Sequence, residues 1–294
     1  MDKDILLLGV DGGGTRCRAR LCNFSGIIVG EGLAGPANAR LGPGESVSAV
    51  LEATAECVAE AGPALGDRPI VACLALAGAS EPVSLATLKG YRYPFQAAIF
   101  TTDSHAACVG AHRGEDGGVI IIGTGSIGEA IIGGQHYRVG GWGFPVSDEG
   151  SGAWLGCELV RQVLWAHDGR VEWTKLLTAT FEQFGSDPHA IVRWMGTAKP
   201  GDFASLAPLV IEHASADDAA ACEIVGRAAH HIDLLAGRLR DLGVRRLALT
   251  GGLSTSIEPW LSPATQKWLV PAAADALTGA VDLARSAALT GMIE

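Results

Sequence analysis

The chain has 294 residues, of which 48% are hydrophobic and 18% charged, so it is long enough to form two domains with substantial cores. Its formal net charge of −10 at pH 7 opposes binding to nucleic acid or to anionic membranes, which are also negative. The seven cysteines are scattered among apolar neighbours without CxxC pairs or zinc-type spacing, which predicts buried free thiols in a reducing compartment.

The first half of the chain predicts a three-stranded β-meander followed by alternating helices and strands, an order typical of a mixed sheet covered by helices. Its apolar start at Ile5–Val10 is too short for a signal peptide or a membrane span, so we expect a cytoplasmic protein without a membrane partner. Strands at Arg18–Phe24 and Ile27–Glu31 complete the meander. The helices and strands that follow are predicted at Ser46–Ala61, Ile70–Leu76, Ala97–Thr101 and Ser104–Ala111.

The second half of the chain repeats the opening order of strand, glycine turn, strand, glycine turn and strand, and then becomes mainly helical. The polar link Arg113–Gly118 precedes it, so we predict domains over 1–115 and 116–280. The final helix, about 280–294, is a candidate to return to the first domain. The predicted strands are 119–122, Gly128–Ile132, Gln135–Val139 and Arg245–Leu249, and the predicted helices are Glu149–Ala166, Lys175–Phe184, Pro188–Met195, Asp202–Ala214, Ala219–Leu242 and Asp275–Leu289.

Three hydrophobic strands each lead into a glycine turn that carries a hydroxyl residue. They lie within Leu6–Thr15, Gly118–Ser126 and Leu247–Ser254. Glycines have no Cβ atom, so the backbone N–H groups of such a turn can approach a phosphate, and a neighbouring Ser or Thr can donate its hydroxyl. One turn of this kind is also typical of an ordinary hairpin. The recurrence of three turns favours a nucleotide site instead.

Five short motifs occur in a fixed order: Asp11–Thr15, Thr102–Asp103, Gly123–Ser126, Gly141–Gly143 with Ser147–Ser151, and Leu249–Gly252. Together they resemble the BadF/BadG/BcrA/BcrD ATPase family and, within it, the N-acetylglucosamine and glucosamine kinases. The resemblance covers nearly the whole chain. It implies an α/β protein with the duplicated actin-like ATPase (ribonuclease H-like) fold. In that fold two domains, each with a mixed five-stranded sheet flanked by helices, hold ATP and sugar in the cleft between them.

The resemblance implies an ATP-dependent kinase that transfers the γ-phosphate of ATP to the 6-hydroxyl of N-acetylglucosamine or glucosamine. Asp103 follows a predicted strand, at the edge where open α/β sheets place their ligands. In similar sugar kinases the matching aspartate is the general base that accepts the proton of the sugar hydroxyl. An aspartate before a helix is also a common N-cap, so the helix from Ser104 provides an alternative, structural interpretation of Asp103.

For ATP, the resemblance implies that glycine turns of the two domains clamp the β- and γ-phosphates. Asp11 would hold Mg²⁺ through water, and the Gly251–Gly252 turn would let the chain approach the adenosine closely. The residues assigned to ATP are Asp11, Gly12, Gly13, Gly14, Thr15, Thr124, Gly125, Ser126, Gly251, Gly252 and Ser254.

For the sugar, the resemblance implies contacts from a Gly-Pro loop and from a tryptophan between glycines. Trp142 can offer an apolar face to a pyranose ring, and the carboxylate of Asp148 can bind two adjacent hydroxyls. Asn38 is otherwise an ordinary turn residue, and Asp148 and Glu149 also suit a helix N-terminus. These residues are compatible with both amino sugars. The residues assigned to the sugar are Asn38, Asp103, Gly141, Trp142, Gly143 and Asp148.

Two other functions stay open at this point. An ATPase that activates a dehydratase or reductase would hold an iron–sulfur cluster with cysteines, whereas Cys157 stands alone in its region. A non-catalytic sugar or nucleotide sensor would lack the general base, whereas Asp103 is present.

The histidines predict no metal site: His230 and His231 point apart on consecutive helical positions, and His105 is interpreted as structural. The expected partners are an amino sugar and ATP, with a homodimer as a candidate assembly because superfamily kinases are often dimers.

Overall fold

The computed structural model of the protein describes residues 4–39, 42–66 and 68–291, and the chain divides into two compact units. The predicted domain bounds, 1–115 and 116–280, stay a prediction. Within the described ranges, no helix is both long and apolar enough to cross a membrane. The first unit comprises Met1–Val119, Glu129–Tyr137 and Pro271–Glu294, and the second comprises Ile120–Gly128 and Arg138–Val270.

A five-stranded mixed sheet with the strand order β3-β2-β1-β4-β5 belongs to the first unit. In this sheet β1 (Leu6–Gly12) pairs antiparallel with β2 (Cys17–Asn23), which pairs antiparallel with β3 (Ile28–Ala34). On its other side β1 pairs parallel with β4 (Ile70–Leu76), which pairs parallel with β5 (Ala97–Thr101). The predicted meander and mixed sheet are confirmed. Since β1, β4 and β5 run parallel, their C-terminal ends meet at one edge, where loops can hold a ligand.

Both faces of this sheet are buried along β1 and β4 because these strands carry apolar residues in both alternating sets. Leu8 belongs to a hydrophobic cluster that includes residues of helix α1 (Pro43–Ala61). Leu7, on the opposite face, belongs to a second cluster that includes Ala284 of the last helix, α13 (Ala276–Thr290). The last helix therefore packs against the first sheet. The other helices of this unit are α2 (Pro63–Gly66), α3 (Pro82–Lys89) and α4 (Asp103–His112).

The second sheet has four strands within the described residues, in the order β8-β7-β6-β9, whereas the resemblance implied five. Where a fifth strand would lie, Leu269 makes a single isolated parallel bridge with Leu247. Pro271 follows two residues later and has no backbone N–H to extend the ladder, so the pairing ends after one bridge. The strands are β6 (Gly117–Ile122), β7 (Ser126–Ile132), β8 (Gln135–Gly140) and β9 (Leu247–Thr250).

Most helices of the second unit begin where the sequence supplies a cap or a proline. The first of them starts at Gly152 rather than at Glu149 because Ser151 is its N-cap, whose Oγ accepts the Trp154 N–H at 3.2 Å. The predicted single helix Asp202–Ala214 is two helices, because Pro208 lacks an N–H and suits a first helical turn. The helices are α5 (Gly152–His167), α6 (Lys175–Gln183), α7 (Pro188–Met195), α8 (Pro200–Ala204), α9 (Ala207–Ser215), α10 (Ala219–Asp241), α11 (Ser254–Ile257) and α12 (Pro263–Gln266), with a 3₁₀ turn at Glu258–Trp260.

The seven cysteines are free thiols, and five of them are buried, as the sequence predicted. Burial raises the pKa of Cys17, Cys57 and Cys108 to about 12, so their thiolates are scarce at neutral pH. We expect a thiol reagent such as dithionitrobenzoate to react rapidly with no more than Cys157 and Cys222 in the native protein. The denatured protein should titrate all seven, and Cys157→Ser should reduce the rapid phase. A rapid native reaction of more than two thiols would contradict this expectation.

Candidate active site

The C-terminal edge of the parallel strands β1, β4 and β5 gathers three of the predicted site segments. The Ala77 N–H, just after β4, donates to the Gly12 carbonyl at 2.7 Å. Ala77 also forms an isolated parallel bridge with Asn38, which holds the Gly-Pro loop at this edge. Asp103 follows the last residue of β5 by two positions. The first unit therefore brings together the glycine turn after β1, Asn38 and Asp103.

The glycine turn after β1 is partly closed by its own backbone. The Gly13 N–H donates to the Arg16 carbonyl at 2.9 Å, and the Gly13 carbonyl accepts the Ala37 N–H at 3.0 Å. Gly14 and Thr15 are exposed at the tip of the turn. The part of the turn that presents its backbone to solvent is therefore Gly14–Thr15.

Asp11, the predicted metal residue, has a structural partner that the sequence interpretation missed. It lies opposite Arg18 in the β1–β2 pair, and Arg18 Nη2 donates to Asp11 Oδ2 at 2.6 Å. Arg18 Nη1 also lies 3.8 Å from Asp275 Oδ2. Opposite charges on facing residues stabilise antiparallel strands. The sequence held a signal for this pair, since Asp11 and Arg18 flank one predicted turn on neighbouring strands.

Asp103 is the first residue of α4 and not its cap. Thr102 Oγ1 accepts the His105 N–H at 3.1 Å and caps the helix. Asp103 Oδ1 accepts the N–H of Ser104 at 2.9 Å, and the aspartate is half-buried. The alternative that Asp103 only provides the N-cap is therefore wrong, because the preceding threonine performs that role.

In the second unit, the turn after β6 lies against the loop that carries Asp148. The N-terminus of α5 holds this turn, since the Gly152 N–H donates to the Gly123 carbonyl at 2.8 Å. A Cβ atom at Gly125 would lie 2.5 Å from Asp148 Oδ2, so a larger residue at this position would displace the Asp148 carboxylate. The predicted phosphate turn and the predicted sugar carboxylate are thus neighbours within one unit.

Ser126, at the end of the same turn, has a structural hydrogen bond. It is buried, and its Oγ donates to the Glu149 carbonyl at 2.7 Å. The bond ties the Ser147–Ser151 loop to the start of β7. The predicted ATP contact of Ser126 therefore competes with a role in positioning this loop.

Asp148 has an unusual backbone conformation and a constrained carboxylate. Its φ is 66°, in the left-handed region that Asp and Asn tolerate better than most residues. Its Oδ1 accepts the Gly143 N–H at 3.0 Å. Burial raises the pKa of Asp148 above its ordinary value, and the hydrogen bond from Gly143 opposes this shift. The Gly141–Gly143 motif and Asp148 are therefore one hydrogen-bonded unit.

Trp142 is 67% exposed, so its ring can meet a ligand. The guanidinium of Arg138 lies 4.3 Å from the ring centroid and covers one face of the indole by a cation–π contact. Arg138 also donates through Nε to the Gly140 carbonyl at 3.0 Å. The sequence interpretation missed Arg138, which holds the ring and the loop together.

The turn after β9 is shaped by its contact with β6. Gly251 has a φ of 94°, and a Cβ atom there would lie 2.4 Å from the Ile122 carbonyl oxygen. The same carbonyl accepts the Leu253 N–H at 3.0 Å, and Ser254 Oγ donates to the Gly251 carbonyl at 2.8 Å. Packing against β6 thus requires glycine at 251 independently of any adenosine contact.

The structure brings together two histidines that the sequence interpretation left apart. Among the described residues, His105, Glu129 and His136 form a group whose potential ligand atoms all lie within 4.8 Å of one another. His105 is on α4, whereas Glu129 and His136 are on β7 and β8. No local spacing signals such a group, because a helix and a later hairpin supply its members.

Comparisons with known proteins agree with the motifs. The model of the BadF/BadG/BcrA/BcrD ATPase family matches residues 8–284. Glucosamine kinase GspK of Vibrio cholerae serotype O1 is 39% identical over 275 residues, which cover 93% of this chain and 94% of that protein. The N-acetylmuramic acid/N-acetylglucosamine kinase of Clostridium acetobutylicum is 29% identical over 181 residues, 58% of this chain and 57% of that protein.

Two solved structures extend the comparison to the fold. A Chromobacterium violaceum protein assigned as an N-acetylglucosamine kinase has a TM-score of 0.89 and 34% identity, with 96% of this chain and 99% of that chain covered. A ROK family glucokinase from Streptomyces griseus in complex with glucose and AMPPNP has a TM-score of 0.55 and 18% identity, with 96% and 99% covered, and is similar in fold alone. The predicted actin-like fold class is confirmed. From the match over residues 8–284 and the 39% identity over 275 residues, the chain belongs to the BadF/BadG/BcrA/BcrD ATPase family.

Proposed function

We propose that this protein is an ATP-dependent amino-sugar kinase that phosphorylates the 6-hydroxyl of glucosamine or N-acetylglucosamine. The observation that carries the proposal is the position of Asp103, which joins the glycine turn and Asn38 at the C-terminal edge of β1, β4 and β5. Both relatives described above from Vibrio and Clostridium are kinases of amino sugars, which supports the class of acceptor.

In the proposed reaction, Asp103 acts as general base. Its carboxylate accepts the proton of the sugar hydroxyl while that oxygen forms a bond to the γ-phosphorus and the bond from phosphorus to the bridging oxygen of ADP breaks. Because the transition state of phosphoryl transfer is loose, positioning and charge stabilisation provide most of the rate enhancement. The hydrogen bond from the Ser104 N–H at 2.9 Å holds the Asp103 carboxylate in one orientation for this step.

The sugar contacts that we propose are Asn38, the Gly141–Gly143 motif and Asp148. Asp148 would accept hydrogen bonds from two adjacent hydroxyls, and Trp142 would pack its ring against the pyranose. The support for Asp148 is its half-buried carboxylate, which the Gly143 N–H orients.

For ATP, we propose the turns that the motifs indicate: Gly12–Thr15, Thr124–Ser126, and Gly251–Gly252 with Ser254. Exposed Gly14 and Thr15 suit phosphate contact best among the residues of the first turn. When bound, Mg²⁺ would neutralise charge on the transferring phosphates, and it usually keeps several waters in such sites. The Asp11 carboxylate fits a contact to that water shell through Oδ1, since Arg18 already occupies Oδ2.

The proposal is tested by measuring ADP release with Mg-ATP and glucosamine, N-acetylglucosamine, glucose or no sugar. We expect turnover that depends on an amino sugar, with ³¹P–¹H correlation placing the new phosphate on the 6-oxygen. ADP release that does not depend on sugar would contradict the kinase proposal and favour the ATPase activator, which an iron assay then examines. Binding of sugar and ATP without any ADP release would favour the sensor.

A further inference from the structure

A helix and a hairpin of the first unit bring two histidines and a buried glutamate together, and the proposed kinase reaction uses none of them. The potential ligand atoms of His105, Glu129 and His136 lie within 4.8 Å of one another. His136 Nδ1 is 3.9 Å from Glu129 Oε1, which is too long for a direct hydrogen bond. The imidazole rings of His105 and His136 are 3.9 Å apart between centroids.

The glutamate of this group is held in a fixed orientation. Glu129 is only 6% exposed, and Ser104 Oγ donates to its Oε2 at 3.1 Å. The Ser104 hydroxyl therefore fixes one carboxylate oxygen, while the other lies on the side of His136. Outer-shell hydrogen bonds of this kind orient the carboxylates that bind metals.

His105 supplies a second observation that points to a ligand. Its Nδ1 is buried and has no hydrogen-bond partner among the described residues. Buried polar atoms of native proteins nearly always have a partner, so an orphaned ring nitrogen requires an explanation. A ligand bound at this nitrogen would supply the missing partner.

We propose that His105, Glu129 and His136 form a site for a divalent transition-metal ion such as Zn²⁺, with water as a further ligand. Two imidazoles and one carboxylate are typical of zinc sites, whereas Mg²⁺ prefers an oxygen shell. Tetrahedral coordination with bonds of about 2.0–2.1 Å needs ligand atoms closer together than the 3.9 Å between His136 and Glu129. Because His136 is half-exposed on β8, a small rotation of its side chain can supply this approach.

The probe for this site is Co²⁺, whose visible absorption reports coordination by imidazole and carboxylate. Chelator-treated, untagged protein without nucleotide should bind one equivalent of Co²⁺ with a d–d band, and Zn²⁺ but not Mg²⁺ should remove that band. Zn²⁺ should also raise the melting temperature, because a ligand that binds only the folded state stabilises it. Neither readout depends on kinase activity, so failure of this site is distinguishable from failure of the proposed function.

His136→Ala is the decisive variant, because a half-exposed strand residue can be removed without loss of the fold. We expect Co²⁺ affinity to fall by more than about 100-fold, since loss of an outer-shell partner alone already costs 10–100-fold. Glu129→Gln, which keeps an acceptor for Ser104, should have a similar effect. The matched control is His189→Ala, an exposed histidine of α7. Absence of the band, or equal affinity of His136→Ala and the wild type, would overturn the proposal.

Discussion

Replacement of Asp103 by asparagine should lower kcat for sugar phosphorylation by about 10²–10⁴-fold, the usual contribution of a general base. Asparagine cannot accept the proton of the attacking hydroxyl. It can still accept the Ser104 N–H through Oδ1, and the N-cap of α4 is unaffected because Thr102 provides it. The variant should therefore stay folded and bind ATP, while the chemical step becomes slower.

Steady-state kinetics with the amino sugar and Mg-ATP measure this effect, and the melting temperature checks that the fold is intact. Asp168→Asn is a matched control, because Asp168 is an exposed aspartate at the end of α5. The control should keep wild-type kcat. An Asp103→Asn variant with nearly wild-type kcat would exclude Asp103 as the base.

Asp148→Asn should raise KM for the amino sugar by about 10–100-fold, because hydrogen bonds to a charged acceptor contribute about 1.5–3 kcal/mol and each 1.4 kcal/mol is tenfold. Asparagine tolerates the backbone φ of 66° and keeps an oxygen for the Gly143 N–H, so only the charge is removed. Weaker sugar binding with an intact fold is therefore the expected result.

The raised pKa of Asp148 also predicts how stability and KM for the sugar depend on pH. Burial raises it in the folded protein, so protonation of this group favours folding at low pH, and that stabilisation is lost as the pH rises through the folded pKa. At neutral pH the carboxylate is destabilising, and Asp148→Asn should leave the melting temperature unchanged or higher. In the wild type, KM for the sugar should rise as the pH falls toward the raised pKa, whereas KM of the variant should not.

Glu149→Gln is the control for Asp148→Asn, since it removes a neighbouring carboxylate from the same loop. It should change KM for the sugar much less. If both variants raise KM equally, the effect is a general loss of negative charge, and Asp148 has no specific contact with the sugar. If Asp148→Asn lowers the melting temperature strongly, its carboxylate has a structural role instead.

The sequence by itself determined the features that depend on neighbouring residues along the chain. Apolar runs predicted β1, β4 and β5, and the alternation of polar and apolar residues predicted β2. The position of Asp103 directly after β5 indicated the ligand edge of the sheet, because parallel strands end at the same edge. The ordered motifs were sufficient to identify the family, because each motif consists of residues that are neighbours in the sequence.

Tertiary structure decided the features that depend on residues distant in the chain. The second sheet stops at a single bridge at Leu269, because a proline follows, although the duplication implied a fifth strand. The pairing of Asp11 with Arg18, and the contact of Gly125 with Asp148, depend on how loops pack. The group of His105, Glu129 and His136 forms only when a helix packs near a later hairpin. No sequence pattern within one segment predicts that packing.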